Sequence, residues 1–183
     1  MAKTPHWAAC GFAGALMLAA FTDAPAFDAE ALTRQGDVYV VALREGYLAH
    51  AELAQKSGDA ASATFWRGRA RSLERQVAGD NFQIAPLAPA RLAADSPYQR
   101  GVLANAYQET AAVVDSEAAD AEPVRVAAVQ IDFEGWLYDA HRGIDDRRFA
   151  KEWSTWDRAL GALVDGTPPP DRPVFGTGEA NGS

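Results

Sequence analysis

The chain has 183 residues, of which 17 are Lys or Arg and 25 are Asp or Glu, so its formal net charge is −8. That length is sufficient for one domain with its own hydrophobic core. The acidic balance argues against general nucleic-acid binding, which needs clustered positive charge, and against charge-driven docking on anionic lipid.

The first 26 residues have the pattern of a secretory signal peptide. Lys3 precedes an uncharged apolar run over residues 7–21, which is too short for a comfortable membrane span. An Ala-Pro-Ala sequence then predicts cleavage before Phe27, and the alternative is an uncleaved N-terminal anchor. The single cysteine, Cys10, lies in this segment, so the exported chain is expected to have no disulfide and no thiolate metal ligand.

The first two helices are predicted to form an antiparallel hairpin over residues 37–78. The helical pattern starts at Asp37, Gly58 suits a left-handed C-cap, and Asp59 suits the N-cap of the second helix, which should end at Gly79. The short link forces the two helices to run antiparallel. The spacing of small and large residues is tetratricopeptide-like, although a lone repeat cannot bury its face.

Three further helices are predicted after an extended connection over residues 80–96. The third is expected over residues 98–117, the fourth over residues 123–142 and the fifth over residues 146–165. A capping residue or a proline introduces each of them.

Apolar residues recur at three- and four-residue spacing in all five segments, which is typical of helices that each bury one face. The residues expected to face the core are Val40, Leu43, Tyr47, His50 and Ala54 in the first helix; Ala63, Trp66, Ala70, Leu73 and Val77 in the second; Leu103, Tyr107, Thr110 and Val114 in the third; Val126, Val129, Phe133, Trp136, Leu137 and Ala140 in the fourth; and Phe149, Trp153, Trp156, Leu160 and Leu163 in the fifth. The chain is therefore predicted to be an all-α bundle of about five helices over residues 27–165, with a disordered tail over residues 166–183.

His141 is the strongest candidate for chemistry, because it ends the fourth helix beside Asp139 and shortly before Asp145 and Asp146. A histidine among carboxylates can bind a divalent ion or act as a general base. The simpler interpretation is a cation at a helix C-terminus, followed by aspartates that cap the next helix. His50, on the inner face of the first helix, is interpreted as a hydrogen-bonded core residue.

A row of basic residues marks the second helix, where Arg67, Arg71 and Arg75 follow an i, i+4, i+8 spacing with Arg69 nearby. We identify it as the only basic stripe in this acidic chain. It suits an anionic envelope polymer or a phosphate group. The simpler interpretation, which we favour, is that the row forms salt bridges to acidic neighbours such as Glu74 or the third helix.

Other patterns in the sequence carry no distinct chemistry. Asp132 and Glu134 flank the apolar face of the fourth helix, but residues two apart point in different directions, so we expect them to be solvated or paired to arginine. The sequence contains no Gly-x-Ser-x-Gly nucleophile elbow, phosphate loop, Rossmann fingerprint, haem spacing or zinc spacing. The aromatic residues have the regular spacing of a core.

Two segments, residues 43–70 and the VQIDFEGWLYDA segment over residues 129–140, carry a family resemblance. They resemble the N-terminal helical region of Gram-negative outer-membrane proteins of the OmpA family, and the order of elements agrees over residues 43–163. In that family the region precedes a C-terminal peptidoglycan-binding domain. Here Gly135 stands where the family has a cysteine, and no such domain follows Gly166, so binding to the sacculus is not implied.

These observations predict a non-catalytic, periplasmic, envelope-associated adapter or scaffold that binds a protein partner without a cofactor or metal. The candidate contacts are Arg67, Arg71, Arg75 and His141. Two alternatives are a small hydrolase or metal-dependent enzyme that uses His141 with its neighbouring aspartates, and a binder of an anionic envelope polymer through the arginines. We expect export to the periplasm, or association with the outer membrane, and no integral membrane span after processing.

Overall fold

A computed structural model describes residues 28, 37–78, 84–92, 94 and 96–166 of the chain. The predicted signal peptide, residues 27 and 29–36, and all of the predicted tail except Gly166 therefore lie outside the described residues. None of the helices in the described ranges has the length and apolar content that a bilayer span requires.

The described part of the chain is all-α, as predicted, with six α-helices and one 3₁₀ turn. The elements are α1 (Val38–Lys56), α2 (Ala60–Val77), the 3₁₀ turn (Pro89–Arg91), α3 (Pro97–Val114), α4 (Ala118–Ala121), α5 (Pro123–His141) and α6 (Asp146–Val164). The five long helices are the predicted ones, and α4 is a single extra turn within the predicted link between the third and fourth helices.

Capping residues position the helix ends as the sequence indicated. The carboxylate of Asp59 accepts a hydrogen bond of 3.0 Å from the backbone N–H of Ser62 at the start of α2, and Asp145 accepts one of 2.8 Å from Arg148 N–H at the start of α6. Gly58 has a φ of 80° in the turn after α1, a conformation that favours glycine. The link between α1 and α2 is thereby held to a tight reversal.

The hairpin of α1 and α2 is antiparallel, as predicted. The side chain of Arg44 near the start of α1 pairs with Glu74 near the end of α2 at 2.7 Å. At the other end, Arg67 donates a hydrogen bond of 3.2 Å to Gln55. These two contacts set the register of the two helices.

Helix α5 is the central element, because α1, α3 and α6 all pack against it. All six of its residues that were predicted to face the core are buried, and so are four others, Ala127, Gln130, Ile131 and Glu134. One side of α5 joins an apolar cluster with α1 and α2, and the other side joins a cluster with α3 and α6. Helix α5 therefore separates two halves of the core.

Some predicted core positions are wrong. Five predicted core residues are only half-buried: His50, Ala54, Val77, Tyr107 and Leu160. Ala51 is the buried residue near His50 and Ala54 in α1. Trp153 is 43% exposed, since α6 buries a narrow stripe with seven-residue spacing through Phe149 and Trp156. Helix α6 lies at the edge of the bundle, so a narrower stripe suffices to bury its inner face.

The closest approach of α1 to α5 occurs at Gly46. A Cβ atom built on Gly46 would lie 2.2 Å from the Cδ1 atom of Ile131, which is itself buried. A glycine inside a helix normally costs about 1 kcal/mol relative to alanine. Here it allows the two helices to come together around the isoleucine.

We expect Gly46→Ala to lower the free energy of unfolding by no more than about 1 kcal/mol, because the Cδ1 end of Ile131 must rotate away and this cost offsets the gain in helix propensity. In an Ile131→Val background, which removes Cδ1, the same substitution should be neutral or stabilising by up to about 1 kcal/mol. Urea unfolding of the four proteins in this cycle measures the coupling. Equal effects of Gly46→Ala in both backgrounds would contradict the close approach.

Candidate functional site

A buried ion pair joins the hairpin to the central helix. Glu134 of α5 is fully buried, and Arg69 of α2 approaches it with two parallel hydrogen bonds, Nε to Oε2 at 2.6 Å and Nη2 to Oε1 at 2.7 Å. The Oε1 atom also accepts hydrogen bonds from the backbone N–H of Leu87 at 3.1 Å and from Gln130 Nε2 at 2.9 Å. This bidentate arrangement satisfies a carboxylate that would otherwise be costly to bury.

Two tyrosines extend the buried polar cluster. The hydroxyl of Tyr47 accepts hydrogen bonds from Arg69 Nη2 and Gln130 Nε2, both at 3.2 Å, and the hydroxyl of Tyr39 donates to Gln130 Oε1. Burial, and then the negative charge of Glu134, raise the pKa of both tyrosines above the usual value. Both tyrosine hydroxyls therefore stay neutral, and the polar groups of the cluster form hydrogen bonds with one another.

The neighbours of Arg69 on α2 point the other way. Arg67, Arg71 and Arg75, called the arginine row from here on, are exposed. The predicted salt bridge to Glu74 is wrong, because Glu74 pairs with an arginine of α1. In the described ranges no carboxylate forms an ion pair with the arginine row, and Arg67 instead donates to the neutral side chain of Gln55.

The carboxylates around His141 serve structural roles. Asp139 pairs with an arginine of α6, Asp145 caps α6, and Asp146 accepts a hydrogen bond of 3.1 Å from Gln99 of α3. His141 itself is exposed at the end of α5. Among the described residues, no group of three or more His, Cys, Asp and Glu side chains has a metal-binding arrangement.

A second surface contact ties the hairpin turn to the end of α5. Arg142 donates from Nη1 to Asp59 Oδ2 at 2.7 Å and to the Ser62 hydroxyl at 2.9 Å, and its guanidinium lies 5.6 Å from the ring centre of Tyr138. The hydrogen bond from Arg142, followed by those from Ser62, holds the pKa of Asp59 well below its usual value. The charged form of Asp59 is therefore favoured in the folded chain.

Helix α6 carries a second set of exposed basic residues, Arg147, Lys151 and Arg158, which sequence analysis missed. Their i, i+4, i+11 spacing on the outer face of α6 was the available signal. Asp145 lines the same open depression as Arg147 and Lys151. In the described ranges the α6 cation that pairs with carboxylates is Arg148, and the α6 basic set, like the arginine row, forms no ion pair there.

Comparison of the chain with protein-family models, curated proteins and solved structures gave no match.

Replacing Glu134 should test the buried ion pair. We expect Glu134→Gln to lower the free energy of unfolding by about 3–5 kcal/mol, because Arg69 loses its counter-ion in a largely buried position. The double substitution Arg69→Met with Glu134→Met should cost less than Glu134→Gln alone, because no charge is left unpaired. Urea unfolding followed by circular dichroism measures both variants, and a loss below about 1 kcal/mol in Glu134→Gln would contradict the pair.

Asp59 should contribute stability that depends on pH. The pKa of Asp59 is lower in the folded chain than its ordinary 3.8. The stability that Asp59 contributes is therefore fully present above pH 3.8 and decreases as the pH falls below that value. We expect Asp59→Ser, which keeps an N-cap oxygen, to have a lower melting temperature than the native chain at pH 7. This difference should shrink between pH 4 and pH 2. A difference that is constant with pH would contradict the ion pair with Arg142.

Proposed function

We propose that this chain is a non-catalytic adapter of the cell envelope that binds a protein partner through the arginine row. The observation that carries the proposal is the row itself, three exposed guanidinium groups on one helix with no carboxylate paired to them in the described ranges. Solvent stabilises each exposed guanidinium, so the feature to explain is the grouping of three such charges on one helix of an otherwise acidic chain. It is explained if a partner supplies the carboxylates.

A protein partner suits these residues. Arginine forms bidentate contacts with carboxylates and is enriched at the centres of protein interfaces. The residues with catalytic potential around His141 are engaged as caps and in ion pairs, which favours a binding role over catalysis. His141 remains a candidate contact because its side chain is exposed.

Export to the periplasm, or association with the outer membrane, belongs to the same proposal. It is supported by the signal-peptide pattern of the first 26 residues. The resemblance of residues 43–70 and 129–140 to the N-terminal helical region of the OmpA family points to the same compartment.

The proposal predicts a crosslink that depends on the arginine row. A photo-crosslinking amino acid at Gly68 would lie beside Arg67 and Arg71, at a position where an added Cβ atom has no described atom within 4 Å. We expect irradiation of the exported protein in cells to give a discrete protein adduct. Reversal of the row (Arg67→Glu, Arg71→Glu and Arg75→Glu) should reduce the adduct by about tenfold or more, since three attractive contacts become repulsive.

The matched control reverses the α6 basic set (Arg147→Glu, Lys151→Glu and Arg158→Glu), which changes the net charge by the same amount. This control should leave the adduct intact. Two outcomes would contradict the proposal: an adduct that survives row reversal, or salt-sensitive sedimentation of the protein with purified sacculi in place of any protein adduct.

A further inference from the structure

We infer that the partner presents an acidic α-helix that packs across α2 and pairs its carboxylates with the arginine row. The inference rests on the proposed function and names the chemistry of the partner surface. Three features support it: the geometry of the row, the anchoring of α2 and the surface beside the row.

The row has the repeat of an α-helix. Residues four apart on a helix advance by about 6 Å and rotate by about 40°, so Arg67, Arg71 and Arg75 form an inclined line about 12 Å long. Acidic residues at the same four-residue spacing on a second helix form a matching ridge, and two such ridges align when the helix axes cross at about 50°. Alternate residues of an extended strand lie about 6.6–6.8 Å apart without that inclination, so they match the row less well.

Helix α2 presents this row on a fixed support. Its inner side is buried through Trp66, Ala70 and Leu73. Arg69, also on α2, binds Glu134 of α5. The backbone of α2 therefore cannot shift to follow an irregular set of charges. A partner with regularly spaced carboxylates is favoured over a flexible polyanion, because less ordering is needed on binding.

The surface beside the row allows a helix to approach and supplies an apolar contact. Gly68 is exposed, and a Cβ atom built on it would meet no atom within 4 Å. Leu48 of α1 is 37% exposed. It lies four residues after Arg44 and seven before Gln55, two residues whose side chains contact α2. Leu48 therefore lies on the α2 side of α1 and offers an apolar contact next to the guanidinium groups.

The test uses two synthetic helical peptides of identical composition, labelled with a fluorophore. One places three glutamates at i, i+4 and i+8, and the other scatters them around the helix. By fluorescence anisotropy we expect the first peptide to bind at least about tenfold more tightly than its isomer, a difference of about 1.4 kcal/mol. Single Arg71→Glu should weaken its binding by about tenfold, and reversal of the α6 basic set should change it by less than about twofold.

A charge-swapped pair extends the test. A peptide with lysines in place of the three glutamates should bind the row-reversed variant and not the native chain. Circular dichroism melts confirm that each variant is folded. Three results would overturn the inference. They are equal binding of the two isomers, displacement of the labelled glutamate peptide by inorganic polyphosphate as readily as by the same peptide unlabelled, and no binding of the glutamate peptide.

The two proposals can fail separately. A row-dependent protein crosslink in cells without binding of the glutamate peptide would overturn the acidic helix and leave the adapter standing. Binding of the peptide without any protein crosslink in cells would support the complementarity of an acidic helix and overturn the adapter.

Discussion

The structure depends on the ion pair between Arg69 and Glu134, which joins residues 65 positions apart in the chain. A fully buried carboxylate is unfavourable unless its oxygens are satisfied. Here Glu134 receives two hydrogen bonds from Arg69, one from Gln130 and one from the backbone of Leu87. One side chain therefore fixes the hairpin, the central helix and the connection between them in a single arrangement.

The orientation of the arginine row follows from this contact. Because successive residues on a helix are rotated by about 100°, fixing Arg69 toward α5 places Arg67 and Arg71 on other sides of α2, and both are exposed. Glu74, which lies within the sequence of the row, pairs with Arg44 instead. In the described ranges, the three arginines are therefore exposed without an ion-paired carboxylate.

The sequence was sufficient to predict the helices but not their side-chain partners. The apolar spacing of α5 predicted six buried residues, and all six are buried. Glu134 lies four residues after Gln130, on the buried face of α5. A carboxylate at such a position was a usable signal of a buried ion pair. Pairing with an arginine was one of the two expected outcomes for Glu134, and it is confirmed. Which arginine would pair was not predictable, because Arg69 lies on another helix and pairing across such a distance depends on packing. Trp153 was misjudged because spacing alone does not reveal how wide a face a helix buries.

The central claim, that the Arg69–Glu134 pair fixes the hairpin against α5, can be tested by a distance measurement. Spin labels at Gln76→Cys on α2 and Val124→Cys on α5, in a Cys10→Ser background, would report the separation of the two helices by pulsed electron paramagnetic resonance. The account predicts one narrow distance distribution in the otherwise native chain and a broad distribution after Glu134→Gln. An equally narrow distribution at the same distance in both proteins would contradict it.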